Sequence, residues 1–188
     1  MMIRKKILAI SGSTRKHSTN EKILAFVAMY YSERLEVDLY TEIAQLPHFT
    51  SDADESHLPN SVQNLRDRIE WADGVLFCSP EYVFSLPGSL KNAIEWTVST
   101  TVFANKPVGI ILAATSGEKA LESLQLIMTT IESIINEEST VLIKGAKGKI
   151  DEHGHIRDPA IKEKIEKVVQ SLIATIDEKA ARVSDGLV

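Results

Sequence analysis

Apolar and polar positions change period in regular alternation along this chain. Residues 5–10, 74–78 and 107–114 are short, nearly continuous apolar runs that end in Ser, Gly or Pro, and they predict strands buried on both faces. Between them, apolar residues recur at helical spacing. Ile23, Leu24, Phe26, Val27, Tyr30 and Tyr31 predict a helix over 21–33, with further helices over 61–71 and 87–99. The stripe Ala120, Leu121, Leu124, Ile127, Met128, Ile131, Ile134, Ile135 predicts the clearest helix of all. Shorter strands are expected over 37–40 and 140–143. A long polar loop carrying Pro47 and Pro59 follows the first of these. A hairpin-like stretch and a last helix from Pro159 to about Ala181 follow the second.

Strand and helix thus alternate about five times, which calls for an α/β fold: a parallel sheet joined by right-handed crossovers, with helices on both faces. With 188 residues, 44% of them hydrophobic and 25% charged, the chain reads as a single domain over 1–188 with room for a sizeable core. In such a sheet, ligands bind beyond the carboxyl ends of the strands, where the strand order switches. That rule selects the loops 11–20, 79–87 and 115–118.

Charge and cysteine content narrow the partner. A net charge of -5 without any long basic block argues against nucleic acid and for a small molecule. The lone Cys78 excludes a disulfide framework or a cysteine-ligated cluster within one chain and fits a cytoplasmic location. The start MMIRKKILAISGS has a basic beginning, but its apolar run of about six residues lacks a cleavage pattern. No apolar run approaches the roughly 18 residues of a membrane span, so no membrane partner is expected.

The first loop, SGSTRKHSTNE, offers hydroxyls, Asn20 and Arg15 at the start of a helix, with no acid before Glu21. Backbone N–H groups, the positive end of the helix dipole and a planar guanidinium together suit a compact terminal phosphate. The simpler role for Ser18 is a helix cap, since Ser18 and Glu21 fit the box S-x-x-E; capping and phosphate binding are compatible. With Gly12 its only glycine, this loop is neither a nucleotide P-loop nor a dinucleotide fingerprint. Asp38 therefore has no fingerprint to support it as a ribose ligand. The second loop is unusual for a connector. Pro80 and Pro87 stiffen it, and Tyr82, Val83 and Phe84 offer apolar surface at the mouth of the cleft or packing against the long loop or another subunit. Glu81 suits an electron-rich ligand poorly unless its side chain binds elsewhere in the scaffold. In the third loop, Thr115-Ser116-Gly117 either starts a helix or meets the polar edge of a heterocycle.

SGSTRKHSTN, followed about sixty residues later by SPEYVFSLPGSLKNAIEW, resembles the NAD(P)H-dependent FMN reductase family, the flavodoxin-like group that includes azobenzene, quinone and chromate reductases. The likeness runs on through GKIDEHGHIRDP to the last helix. It implies a three-layer flavodoxin-like sandwich with a five-stranded sheet of order 2-1-3-4-5, the order in which flavodoxin itself binds FMN at the switch point. It also implies FMN, with Ser11, Ser13, Arg15, Ser18, Thr19 and Asn20 around its phosphate. Pro80, Glu81, Tyr82 and Val83 would lie along the isoalloxazine, with a third-loop contact at Ser116. Two departures stand out. Val83 replaces the Asn usual after Pro-Glu-Tyr, and TSGEKALESL replaces a glycine-rich stretch that often carries an arginine.

The implied activity is hydride transfer from NADH or NADPH to bound FMN and then to a quinone, azo compound, free flavin or metal oxyanion. The family commonly forms dimers or tetramers, so a homodimer or homotetramer is expected. The alternatives are an FMN-binding electron carrier of flavodoxin type and a transferase or hydrolase on the same sheet, for which no nucleophile is visible. Cys78 reads as a buried structural thiol, and His153 and His155 as solvated surface rather than metal ligands; His17 belongs to the first loop. No catalytic side chain and no metal site are assigned.

Overall fold

The computed structural model describes residues 3–52, 57–146, 148–151 and 155–184. Strands β1 (Lys5–Ser11), β2 (Leu35–Tyr40), β3 (Gly74–Ser79), β4 (Val108–Ala114) and β5 (Thr140–Lys144) form one parallel sheet in the order β2-β1-β3-β4-β5. Helices α1 (Thr19–Tyr30), α2 (Asn60–Trp71), α3 (Gly88–Glu95), α4 (Glu118–Thr130) and α5 (Pro159–Ser184) cover it. The expected α/β class and strand order are both borne out.

Continuous apolar strands follow from having helices on two sides. Successive strand residues point to opposite faces. Leu8, Ile10, Val75, Phe77, Ile110 and Leu112 enter one core with α2, α3 and α4. Ile7, Ala9, Leu76, Cys78, Ile111 and Ala113 enter the other with α1 and α5. A polar residue at any of these positions would be buried whichever way it pointed.

Three expected helices end early, the first at Tyr30 rather than 33 and the other two for a tertiary reason. The third stops at Glu95 rather than 99. The buried Arg66 of α2 donates from Nε to the Trp96 carbonyl at 2.8 Å, and the Thr97 hydroxyl donates to Ile94 O at 2.7 Å. Both bonds occupy carbonyls near the end of the helix. The striped fourth helix stops at Thr130, where Glu132 takes a positive φ of 62°. Ile134 then leaves the helical path: its N–H donates to Lys106 O, and its carbonyl accepts from Val108 N, both at 2.9 Å. Periodic apolar spacing continues past the point where pairing beside β4 takes over. The expected hairpin is present as the antiparallel bridge between Ile150 and Ile156.

Part of the loop after β2 is tied down. Pro47 O accepts from Asn92 Nδ2 at 2.9 Å and Trp96 Nε1 at 2.8 Å, while Asn92 Oδ1 accepts from Phe49 N at 2.8 Å. One asparagine of α3 thereby satisfies both backbone polarities of the loop, and the Phe49 ring meets Trp96 edge-on.

Lys106 closes α2 from outside. Its buried Nζ donates to Ala72 O at 2.5 Å and reaches Glu70 O at 3.4 Å, carbonyls that the helix end leaves free. Burial, followed by the nearby Lys179, lowers the ammonium pKa from 10.5 to about 8. The folded chain therefore releases this proton before the unfolded chain does. Across pH 8 to 10.5 the unfolded state binds more protons, so this site's contribution to stability rises with pH. Chemical denaturation should show wild type gaining stability relative to Lys106→Met over that window. The difference should be flat below it.

Candidate functional site

The strand order reverses between β1 and β3, since β1 has β2 on its other side. Ser11, the last residue of β1, pairs with Cys78, and Gly12 N donates to Cys78 O at 2.9 Å. The backbone therefore leaves β1 pressed against the end of β3. A Cβ on Gly12 would lie 2.8 Å from Ser79 Cβ and closer still to its Oγ. Ser79 is fully buried, with its hydroxyl donating to Pro80 O at 3.0 Å, so it has nowhere to retreat.

The hydroxyls of the first loop shape the loop itself. Ser11 Oγ accepts from Ser13 N at 3.2 Å, and Ser13 Oγ accepts from Arg15 N at 3.3 Å. Ser18 Oγ accepts from Glu21 N at 3.1 Å, the capping bond that S-x-x-E predicts. The return bond differs, because Glu21 Oε2 accepts from His17 N, at 2.7 Å, rather than from Ser18 N. His17 takes a φ of 54° to reach it. With the cap so arranged, the N–H groups of Ser18, Thr19 and Asn20 have no acceptor among the described residues. The exposed Arg15 side chain has no ion-pair partner among them either. Asn20 points inward: its Oδ1 accepts from the buried Cys78 thiol at 3.3 Å.

In the second loop, Tyr82 and Ser85 exchange two backbone bonds of 3.0 Å around Val83 and Phe84, at φ 51° and 56°. Two central residues at positive φ define a hairpin turn of type I′, usually made by Asn-Gly. A β-branched residue there crowds its own carbonyl and costs about 1–2 kcal/mol. Val83 is 95% exposed, so no packing offsets this strain. Tyr82 and Phe84 are also largely exposed, and the three form an apolar tip beyond the sheet edge.

Glu81 points away from this tip. Its Oε2 accepts from Ser116 Oγ at 2.8 Å and its Oε1 from Ala120 N at 3.3 Å, in the first turn of α4. The expectation that its carboxylate binds elsewhere in the scaffold is met. The second loop is thus tied to the third, as the first is tied to the second through Gly12 and Ser79. The start of α4 is the feature that sequence patterns missed. Thr115-Ser116-Gly117 showed where a helix begins, but the group that caps it, at Ala120 N, lies 39 residues before Ala120.

The sequence profile of the NADPH-dependent FMN reductase family matches residues 5–148. The chain belongs to that family. An NAD(P)H-dependent FMN reductase of Pseudomonas aeruginosa is 30% identical over 173 residues, 89% of this chain and 92% of that protein. The NADH:(hydroxy)cinnamate reductase subunit CrdA of Vibrio ruber is 39% identical over 108 residues; the match spans 57% of this chain and 52% of that relative. Among solved structures, the flavoenzyme NAD(P)H:(acceptor) oxidoreductase FerB from Paracoccus denitrificans superposes with a TM-score of 0.76 at 27% identity, covering 93% of this chain and 98% of that one. The family drawn from the two loops is therefore the right one, and with it an oxidoreductase that uses NAD(P)H and FMN.

Within this family, the Val83 departure is a matter of backbone conformation. Asn adopts the left-handed region more readily than Val. Other candidates are engaged elsewhere. Asp38 takes a bidentate bond from Arg68, 2.6 Å at Nε, whose guanidinium also reaches Glu42 at 3.1 Å and lies 4.9 Å over the Tyr40 ring. Hydrogen bonding to Asp38 first among its causes raises the Arg68 pKa. Burial pushes the Cys78 thiol far above its ordinary value, as a structural thiol requires. His155 faces Asp151 at 3.1 Å, His153 lies outside the described residues, and no metal-binding cluster occurs among the described ones.

Two outcomes follow from this geometry. Val83→Asn should raise stability by about 1 kcal/mol, shifting Tm upward by ~2–4 °C in a thermal melt. Gly12→Ala should lower it by about 1–3 kcal/mol through collision with Ser79. The double variant Gly12→Ala, Ser79→Gly should recover part of that loss.

Proposed function

We propose that the carboxyl edge of the sheet binds FMN, with its phosphate at the start of α1 and its ring along residues 80–83, and that the protein passes reducing equivalents from NADH or NADPH to a small acceptor. The observation that carries this reading is the start of α1. Three backbone N–H groups without acceptors among the described residues and an exposed guanidinium lie there beside the hydroxyls of Ser11, Ser13 and Ser18, while the Glu21 carboxylate is bonded to His17 N. That donor set suits a doubly charged phosphate.

Bound FMN supplies the hydride-accepting and electron-donating centre. The side chains shape its surroundings. Ser11 and Ser13 hold the loop, and Ser18 caps α1, leaving the N–H groups of Ser18, Thr19 and Asn20 without an acceptor among the described residues. Thr19 and Arg15 are free to contact the phosphate. Asn20 sits deeper, bonded to Cys78, with its amide nitrogen left for the ligand. Pro80, Glu81 and Tyr82 lie along the ring with Glu81 N–H as the backbone donor left for it, since Pro80 has none and Tyr82 N donates to Ser85 O, and the Val83 side chain extends past it. Ser116 keeps acceptor capacity after donating to Glu81. Candidate acceptors are quinones, azo compounds, free flavin and metal oxyanions.

We further propose that the chain acts as one flavodoxin-like domain over 1–188 in the cytoplasm, as a homodimer or homotetramer. Support comes from the single, buried, reduced Cys78 and from the apolar tip Tyr82–Phe84, which a second copy would shield. No helix among the described residues is long and apolar enough to cross a membrane.

The purified protein should bind FMN with a yellow absorbance spectrum that NADH or NADPH bleaches without a partner reductase. Bound flavin that fails to bleach would favour an electron carrier, and failure to bind FMN would remove the assignment. Arg15→Ala should weaken FMN binding about tenfold while leaving riboflavin, which lacks the phosphate, unchanged.

A further inference from the structure

We infer that Glu81 is a positioning residue: its carboxylate caps α4 from the neighbouring loop and thereby sets the spacing between the 80–83 backbone and the loop after β4. The inference rests on the FMN site proposed above. α4 cannot be capped locally by a side chain at its N-cap position. That position is Gly117, at φ 117°, and a Cβ there would be driven into Leu142 and lie 3.3 Å from Ala114 Cβ. Ser, Thr, Asp and Asn, the usual capping side chains, would be strained at this φ and would have to push the Leu142 side chain aside. α1 meets the same need locally, through Ser18.

Glu81 fills this role across 39 residues. One carboxylate oxygen accepts from Ala120 N at 3.3 Å and the other from Ser116 Oγ at 2.8 Å. The negative charge rests at the positive end of α4, where the dipole favours it, and away from the electron-rich ring proposed for the cleft. Two bonds on two oxygens also fix the side-chain rotation. The restricted φ of Pro80 precedes it and the Tyr82–Ser85 hairpin follows it, so little freedom remains in the backbone between. Strain at Val83 is sustained by this anchoring on both sides. The third loop, which in this chain lacks the glycine-rich sequence usual in the family, thus contributes a support for the second loop.

The test uses the full chain and two variants. In the FMN-free protein, hydrogen exchange at the Ala120 amide should be faster in Glu81→Ala than in wild type, and close to wild type in Glu81→Gln, whose side-chain oxygen still accepts. By flavin fluorescence titration, Glu81→Ala should weaken FMN binding about tenfold and Glu81→Gln no more than about threefold. Ser116→Ala should weaken it more in wild type than in Glu81→Ala, where the bond to the carboxylate is already gone and only the hydroxyl's own contact with the ligand is left to lose. Unchanged FMN affinity in Glu81→Ala would overturn the inference, as would Glu81→Gln binding as poorly as Glu81→Ala, which would assign the effect to charge acting directly on the ligand. If wild type bound no FMN, the function proposed above would fail by itself. The inference would then be decided by exchange at Ala120, with unchanged exchange in Glu81→Ala overturning it.

Discussion

The loop after β1 lies against the end of β3 at a separation that only glycine permits. Gly12 donates to Cys78 O while its Cα faces the buried Ser79, and this contact fixes where both loops begin. The hydroxyl turn of Ser11 and Ser13 continues from one side of it and the Pro80–Glu81 segment from the other. A parallel sheet supplies this arrangement because its strands all deliver their carboxyl ends to one edge, and the reversal of strand order leaves a gap between the helices that follow.

Two helices begin at that edge, and their starts are completed in different ways. α1 uses its own Ser18, with Glu21 returning a bond to His17, and leaves three N–H groups without an acceptor among the described residues. α4 begins at a glycine enclosed by Leu142 and Ala114 and takes its cap from Glu81. The first solution leaves donors available for an anion. The second uses its donor to hold a neighbouring loop, and so removes from the cleft the one carboxylate the second loop carries.

The second loop also shows strain that its sequence conceals. Tyr-Val-Phe-Ser contains neither glycine nor asparagine, so nothing in it announces a two-residue turn with both central residues left-handed. The turn exists because Tyr82 and Ser85 pair across it and Glu81, just before it, is anchored to the start of α4. Membership of the NADPH-dependent FMN reductase family gives this a context, since the asparagine usual at position 83 suits the same backbone shape.

Hydrophobic period alone determined the order of strands and helices, because a strand buried on both faces and a helix buried on one leave different spacings in the chain. The Ser18–Glu21 cap and the phosphate-suited composition of the first loop were equally local, and equally legible. Residues far apart in sequence decided the rest. The ends of α3 and α4 depend on Arg66 and on pairing beside β4, the fate of Asp38 on Arg68, and the start of α4 on Glu81. Inward-facing Asn20 and the approach of Gly12 to Ser79 belong with these. A hydrogen bond or a steric contact is a short-range interaction, and only the folded sheet brings such partners within its range.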